Sequence, residues 1–232
     1  MLELIPIQLS MPFRMGSVNC YLLNTDNGYF LIDTGGTKNR TELEAALHHV
    51  GCEPGELKLI ILTHGDFDHS GNAAYLRKKF NAKIAMHRGD LGMVEQGNMF
   101  SSRKKGNNFF TRKLIPVLVG FGSSERFTPD IYLEDGDDLS QYGLEAKVVS
   151  IPGHSLGSIG ILTNPGDLIC GDLFESTKEP GLNSLMDDPD AADFSVQKLS
   201  NFEIKTVYPG HGSSFRIEKY FALHPNVQLD RV

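Results

Sequence analysis

Four side chains of types that commonly bind metal ions fall within six residues of this sequence, namely His64, Asp66, Asp68 and His69. Two neighbouring carboxylates repel each other, and burying them without a partner is costly. A divalent cation supplies such a partner. A solvated polar loop is the alternative, and for a single His-x-Asp pair it would be the better explanation. The density of these four residues favours a metal site.

Three more candidate ligands lie further along the chain, at His154, Asp172 and His211. Both histidines follow a Pro-Gly pair, in which proline fixes φ and glycine allows a sharp turn that presents the imidazole. Each histidine taken alone is better explained as a structural residue. Together with the first group they make seven ligands, enough for two metal ions that share a bridging carboxylate.

Predicted strands lead into all of these candidate ligands. The apolar run at residues 59–62 is interpreted as a buried strand before His64, and Ser70 is predicted to cap a helix over residues 72–79. Further strands are predicted at residues 144–151, 167–170 and 205–208, each ending where a ligand follows. Open α/β sheets place their sites at the carboxyl ends of strands, so we expect the seven side chains to converge.

The remaining hydrophobic pattern predicts a mixed α/β protein. Strands are expected at residues 2–9, 18–24, 29–32, 82–86, 131–133 and 159–163, and helices at residues 40–50, 88–96 and 191–199. Asp33 follows a strand in a glycine-rich turn and is interpreted as a residue that braces a neighbouring loop by hydrogen bonding. His87 is interpreted as a partly buried polar residue, and Tyr208 as a residue that packs within its strand rather than one that supplies a hydroxyl to the site.

Composition excludes some classes of protein. The chain has 232 residues and a net charge of −7, which argues against a dedicated nucleic-acid-binding protein. No apolar run approaches the length of a membrane span, and no signal peptide is evident. The 3 cysteines are scattered, as expected for a reduced cytoplasmic protein rather than for a disulfide framework.

Residues 98–127 are predicted to form an insertion with a different composition. Basic residues and two adjacent phenylalanines occur there without an acidic residue between positions 101 and 113: Arg103, Lys104, Lys105, Phe109, Phe110, Arg112 and Lys113. One interpretation is a lid that offers positive charge and aromatic surface to a small anionic substrate. A solvated basic loop, or a contact between copies in a homo-oligomer, explains the same composition equally well.

The order and spacing of five sequence blocks resemble the metallo-β-lactamase fold superfamily, in particular its glyoxalase II-like hydrolases. The blocks are residues 31–35, 63–71, 152–155, 171–172 and 209–211. The resemblance implies an α/β fold, an αββα sandwich of two mixed β-sheets flanked by helices, in a single domain of residues 1–232. It assigns the ligands of two metal ions: His64, residue 66 and His154 to the first, Asp68, His69 and His211 to the second, and Asp172 to both.

Residue 66 departs from the pattern of the family, which has histidine there. A carboxylate ligand shifts metal preference away from zinc and towards iron or manganese, without excluding zinc. Aspartate is also shorter than histidine, so the alternative is that Asp66 leaves the first position weak or vacant.

The resemblance implies a metal-dependent hydrolase similar to hydroxyacylglutathione hydrolase. A metal-bound hydroxide would attack a small ester-like substrate, such as a thioester, lactone or phosphodiester, and Asp68 would orient this nucleophile. Two alternatives stay open: a redox enzyme, either a non-haem diiron oxidoreductase or a relative of the sulfur dioxygenases, and a non-catalytic metal-binding sensor. A fold alone does not choose among them, and the substrate-binding residues are not identified.

Overall fold

The computed structural model describes residues 2–11, 16–101, 103 and 122–225. Most of the predicted insertion, including Lys104, Phe109 and Phe110, lies outside the described residues. Within the described part of the chain, twelve strands form two mixed six-stranded sheets. The two mixed sheets are those that the family resemblance implies, whereas the hydrophobic pattern alone predicts a mixed α/β protein.

The first sheet follows the order of the chain. Its strands are β1 (Glu3–Ser10), β2 (Ser17–Thr25), β3 (Gly28–Ile32), β4 (Leu57–Ile61), β5 (Lys83–Met86) and β6 (Ile131–Tyr132). The strands β1 to β3 pair antiparallel, whereas β3 to β6 pair in parallel. The parallel part brings the carboxyl ends of β3, β4 and β5 to one edge, from which the His64 loop leaves.

The second sheet has the order β12-β11-β9-β8-β7, with β10 paired to β9. Its strands are β7 (Ala146–Ser150), β8 (Ile159–Thr163), β9 (Asp167–Ser176), β10 (Gly181–Leu182), β11 (Thr206–Gly212) and β12 (Phe215–Arg216). β9 and β11 pair in parallel, while the other strand pairs of this sheet are antiparallel.

Helices cover the outer faces of both sheets. They are α1 (Arg40–His49), α2 (Phe67–Ser70), α3 (Ala73–Phe80), α4 (Leu91–Gln96), α5 (Pro189–Leu199) and α6 (Ile217–Leu223), with 3-10 turns at Thr37–Asn39, Arg88–Asp90, Ser123–Glu125 and Leu139–Tyr142. No helix in the described ranges has the length and apolar character needed to cross a lipid bilayer.

Three apolar clusters fill the spaces between four layers. Leu31 packs in the cluster between the first sheet and α1 and α3, whereas its neighbours Phe30 and Ile32 pack in the cluster between the two sheets. Consecutive strand residues point to opposite faces, so strands covered on both faces are apolar throughout. A third cluster lies between the second sheet and the helices α5 and α6. The layers confirm the expected αββα sandwich.

Three local predictions were wrong. Ser70 does not cap the following helix, because Asn72 stands at that position and the Ser70 hydroxyl donates to the carbonyls of Gly65 and Asp66. The strands predicted to end at residues 170 and 208 continue to Ser176 as β9 and to Gly212 as β11. In β9, apolar residues on both sides of Asp172 continue the buried strand past the glycine at which it was predicted to end.

Candidate metal centre

All seven predicted ligands meet between the two sheets. His64 and Asp66 lie in the loop after β4, and Asp68 and His69 lie in α2. The other three are His154 in the loop after β7, Asp172 in β9 and His211 in β11. All except His211 are buried. The predicted convergence of these side chains is therefore present in the structure.

Asp172 and three neighbours, Asp68, His69 and His211, surround the second of the two metal positions that the family resemblance implies. Oδ1 of Asp172 lies 3.4 Å from Nε2 of His69, and Oδ2 of Asp172 lies 3.4 Å from Nε2 of His211. Oδ2 of Asp68 lies 3.5 Å from Nε2 of His211 and 4.0 Å from Nε2 of His69. Ligand atoms of a tetrahedral site with bonds of about 2.0–2.2 Å lie about 3.3–3.6 Å apart. Three of the four distances fall in this range, so the four side chains are candidate ligands of one ion.

The first position is built from His64, Asp66 and His154. Oδ2 of Asp66 lies 3.7 Å from Nε2 of His64 and 3.0 Å from Nε2 of His154. Nε2 of His154 is also 3.9 Å from Oδ2 of Asp172. The positively charged guanidinium of Arg103 lies beside these atoms, with its Nη2 2.6 Å from Oδ2 of Asp66.

Several buried polar atoms of the site have no hydrogen-bond partner among the described residues. They belong to ligands of both positions and are Nε2 of His64, Nε2 of His69, Oδ1 of Asp66 and Oδ1 of Asp172. Buried polar atoms without partners are rare in native structures and call for an explanation, such as an ion. The residues present therefore fit a metal ion.

Each of the four histidines uses its Nδ1 atom for a hydrogen bond away from the centre. His64 contacts the hydroxyl of Thr63, His69 contacts Asp33, His154 contacts the carbonyl of Leu185 and His211 contacts the carbonyl of Ser17, at distances of 2.6–3.0 Å. These bonds fix the rings and leave all four Nε2 atoms facing the ligand cluster, as in metal-binding histidines generally.

Asp33, which follows β3, is hydrogen-bonded both to Thr63, the neighbour of His64, and to His69. Its Oδ1 accepts from the backbone N–H of Thr63, and its Oδ2 accepts from the Thr63 hydroxyl and from Nδ1 of His69. The residue has a φ of 61°, a conformation that aspartate tolerates better than most residues. The interpretation of Asp33 as a bracing residue is confirmed.

Asp90 ties together the two loops that carry His64 and His154. Its carboxylate accepts from the backbone N–H groups of Gly65 and Gly157 and from the hydroxyl of Ser155. The side chain is fully buried, and burial raises its pKa. The helix predicted over residues 88–96 includes Asp90 and gives no hint of this role, although an aspartate soon after a strand is a usable signal.

Two residues of β2, Asn19 and Tyr21, hold the segment around His211 by hydrogen bonds. The sequence did not predict this role for either of them. The carbonyl of Pro209 accepts from the hydroxyl of Tyr21 at 2.6 Å and from the side-chain amide of Asn19 at 3.0 Å. The same amide donates to the carbonyl of Gly212 at 2.7 Å. No pattern within β2 marks these contacts, because they join residues that are nearly two hundred positions apart.

A register irregularity between β9 and β11 presents Asp172 and His211 to the centre. Pro209 pairs with Gly171, but His211 pairs with Glu175, so the intervening residues of β9 bulge. Gly171 has a φ of 50° there, which favours glycine. The two ligands were expected in loops after strands; they lie within strands, and the bulge supplies the space that a loop would have provided.

The charges around the ligands shift their pKa values in opposite directions. Burial, together with neighbouring His69 and His154, holds the pKa of His64 well below its usual range. Burial works against protonation of His69 and His211 too, but the carboxylate of Asp172 outweighs it and raises the pKa of His211 to about 10. The same histidines lower the pKa of Asp172, so this carboxylate stays ionised.

His87, interpreted as a partly buried polar residue, and Tyr208, interpreted as packing within its strand, stay outside the centre. Nδ1 of His87 accepts from the backbone N–H of Gly89, and its Nε2 lies 3.3 Å from Oε2 of Glu134. The ring of Tyr208 packs edge-on against the ring of Tyr21, with centroids 5.5 Å apart. Both interpretations are confirmed.

Comparison with known proteins gives consistent results over most of the chain. The profile of the Metallo-beta-lactamase superfamily matches residues 14–211. Metallo-beta-lactamase domain-containing protein 1 of Rattus norvegicus is 27% identical over 213 residues, which cover 89% of this chain and 70% of the relative. The hydroxyacylglutathione hydrolase of Pelagibacter ubique is 26% identical over 181 residues, which cover 72% of this chain and 57% of the relative.

A solved structure has a closely similar fold. It is described as TTHA1623 in a di-iron-bound form, and it superimposes with a TM-score of 0.70 at 26% sequence identity. The match covers 92% of this chain and 95% of that one. The two sheets and their flanking helices are thus shared along nearly the whole length of both proteins.

Proposed function

Because this chain belongs to the metallo-beta-lactamase superfamily, we propose that it is a metal-dependent hydrolase that acts on a small ester-like substrate. The observation that carries the proposal is the set of buried, unpartnered ligand atoms on His64, His69, Asp66 and Asp172. These residues would hold a divalent ion, which would supply a bound water of lowered pKa and a charge that polarises a carbonyl or phosphoryl oxygen.

Asp68 is the residue that we propose to orient and deprotonate the attacking water. Its side chain is 13% exposed and that of His211 is 16% exposed, whereas the side chains of His64, His69 and His154 are 0–2% exposed. The cluster therefore opens to solvent on the side of Asp68. A substrate and a water molecule reach the centre from that side, where the Asp68 carboxylate accepts the proton.

Asp172 and the histidines around it would hold metal and keep the reacting groups in place. The Nδ1 hydrogen bonds prevent the imidazole rings from turning, so their Nε2 atoms need no reorganisation when substrate binds. No serine or cysteine nucleophile is required in this arrangement. Cys20, Cys52 and Cys170 are buried, which fits their interpretation as small apolar residues.

Two observations bear on the class of substrate. The name of the Pelagibacter ubique relative, a hydroxyacylglutathione hydrolase, favours a thioester over a lactone or a phosphodiester. Leu156 and Leu185 are 65% and 69% exposed and lie in the segments that carry or contact His154, which favours a substrate with an apolar part. The expectation of an anionic substrate rests on basic residues that, apart from Arg103, lie outside the described residues.

The test is a panel of thioesters, lactones and phosphodiesters assayed with protein loaded with zinc, manganese or iron. We expect turnover of at least one class, and its loss on Asp68→Asn and on Asp172→Ala. Asp193→Asn, an exposed change on α5, serves as the control and retains activity. A protein that takes up no divalent ion under metal-replete conditions would rule out the proposed function.

An iron-dependent redox enzyme is the second candidate. The oxygen ligand of Asp66 and the iron of the structurally similar protein TTHA1623 favour it. Oxygen uptake by the iron-loaded protein, with no turnover of the hydrolase panel, would support this candidate over the hydrolase.

A further inference from the structure

The guanidinium of Arg103 contacts the atoms that a first metal ion would bind. Nη2 of Arg103 lies 2.6 Å from Oδ2 of Asp66 and 3.2 Å from Nε2 of His154. The Arg103 side chain is only 9% exposed, so these contacts are shielded from water. Arginine and a metal ion would therefore compete for the same two atoms.

The charge of Arg103 cannot be removed to make room for a metal ion. The guanidinium stays protonated at any pH at which the protein is folded. A divalent ion bound to Asp66 and His154 would lie beside this fixed positive charge, and like charges in a buried site repel strongly. Arg103 would have to leave before the first position could fill.

Two carboxylates compensate the buried charge of Arg103. Asp66 is paired at 2.6 Å, and Oδ2 of Asp187 lies 3.4 Å from Nε of Arg103. Removing one partner of a buried ion pair is strongly destabilising. This pairing gives a physical reason for aspartate at residue 66, where the superfamily pattern has histidine: a neutral imidazole there would leave Arg103 with Asp187 alone.

The second position is untouched by this pairing. The ion pairs that Arg103 makes with the described residues go to Asp66 and Asp187. Asp172 remains within 3.4 Å of both His69 and His211. A full set of four candidate ligands is therefore available for one ion.

We infer that Arg103 takes the place of the first metal ion, so that the protein holds a single divalent ion, at the second position, next to a permanent guanidinium charge. This inference rests on the proposed metal-dependent function. It differs from the two-ion centre that the family resemblance implies.

The experiment counts the bound metal. The purified protein is saturated with Zn²⁺ or, separately, with Mn²⁺. Excess metal is removed by gel filtration, and the bound metal is then counted by elemental mass spectrometry. The same count is made for Asp66→His/Arg103→Met, which restores the histidine and removes the cation. Arg216→Met, which removes an exposed arginine paired with Glu218, is the matched control.

We expect one ion per chain in the unaltered protein and in the control, and two in the double variant. Two ions in the unaltered protein would overturn the inference and leave the proposed function standing. One ion in a correctly folded double variant would also overturn the inference, because Arg103 would then not determine how many metal ions the protein binds. No bound ion in the unaltered protein would overturn both. If the double variant does not fold, the unaltered protein still decides: one ion supports the inference and two exclude it.

Discussion

At the scale of the residue, the candidate ligands depend on groups that touch no metal themselves. Asp33 is the clearest case, because its two oxygens accept three hydrogen bonds, one from Nδ1 of His69. A carboxylate in this position orients the ring and increases its basicity. The strength of metal binding is therefore decided partly by residues that a list of ligands would omit.

We predict that Asp33→Asn weakens metal binding by about 10–100-fold, the usual cost of losing such a partner. The amide can accept from Thr63 but presents N–H groups where Oδ2 now accepts two hydrogen bonds. Competition with a chromophoric chelator measures the affinity, and Asp193→Asn is the matched control. Equal affinities of the variant and the control would contradict this account of Asp33.

At the scale of the element, the bulge between β9 and β11 leaves little space around the centre. A Cβ atom added to Gly210 would overlap Oδ1 of Asp172 and lie 2.6 Å from Cε1 of His69. At Gly181, in the neighbouring strand β10, an added Cβ would meet nothing within 4 Å. The same chemical change therefore has opposite expected effects at two positions of one sheet.

We predict that Gly210→Ala abolishes tight metal binding, because Asp172 and His69 must move apart to admit the methyl group. Gly181→Ala should bind metal as the unaltered protein does. Metal content after gel filtration distinguishes the two variants, and circular dichroism shows that both are folded. Retention of metal by a folded Gly210→Ala protein would show that the bulge adapts.

A second prediction at this scale concerns the connection between loops through Asp90. Asp90→Ala leaves two buried backbone donors unpaired, on Gly65 and Gly157, whereas the Ser155 hydroxyl can still donate to Ser158. Each unpaired group costs about 1–3 kcal/mol, so we expect the free energy of unfolding to fall by about 2 kcal/mol or more. Urea denaturation measures the free energy of unfolding. The value for Asp90→Asn, which keeps one acceptor oxygen, should lie between those of the unaltered protein and Asp90→Ala. A loss under 1 kcal/mol for the alanine variant would refute the connection.

At the scale of the whole molecule, the centre joins the two sheets. His64, Asp66, Asp68 and His69 follow β4 of the first sheet, whereas Asp172 and His211 lie in strands of the second. A ligand that binds only the folded state stabilises it, by about 4 kcal/mol at a free concentration of 1,000 times its Kd. Metal should therefore act as a cross-link between the sheets.

We predict that removal of metal with a chelator lowers the Tm by on the order of 10 °C, since about 1 kcal/mol shifts the Tm of a protein of this size by about 2–4 °C. Differential scanning calorimetry with and without Zn²⁺ measures the shift. The His211→Ala variant should lose most of this metal-dependent shift in Tm. A Tm that is the same with and without metal would mean that the sheets are held together without the ion.

The sequence predicts those parts of this centre that depend on local patterns. His64, Asp68 and His69 closely follow β4, and His154 follows a Pro-Gly pair after β7, so their positions after strands can be read directly. His211 also follows a Pro-Gly pair but lies within β11, which the local pattern does not show. The contacts of Asn19, Tyr21 and Arg103 depend on the packing of segments far apart in the chain. No local pattern of hydrophobicity or turn residues encodes such contacts.

Asn19 and Tyr21 donate hydrogen bonds to the segment around His211, and the carbonyl of Ser17 accepts one from its imidazole, so this segment is tied to β2 of the other sheet. The second position therefore draws its four side chains from two distant parts of the sequence: Asp68 and His69 follow β4, whereas Asp172 and His211 belong to β9 and β11. A fragment that stops before β7 would keep only two of the four, and the inner face of its sheet would lack its apolar partner. Cutting the gene at that point should thus yield neither the second position nor a covered first sheet.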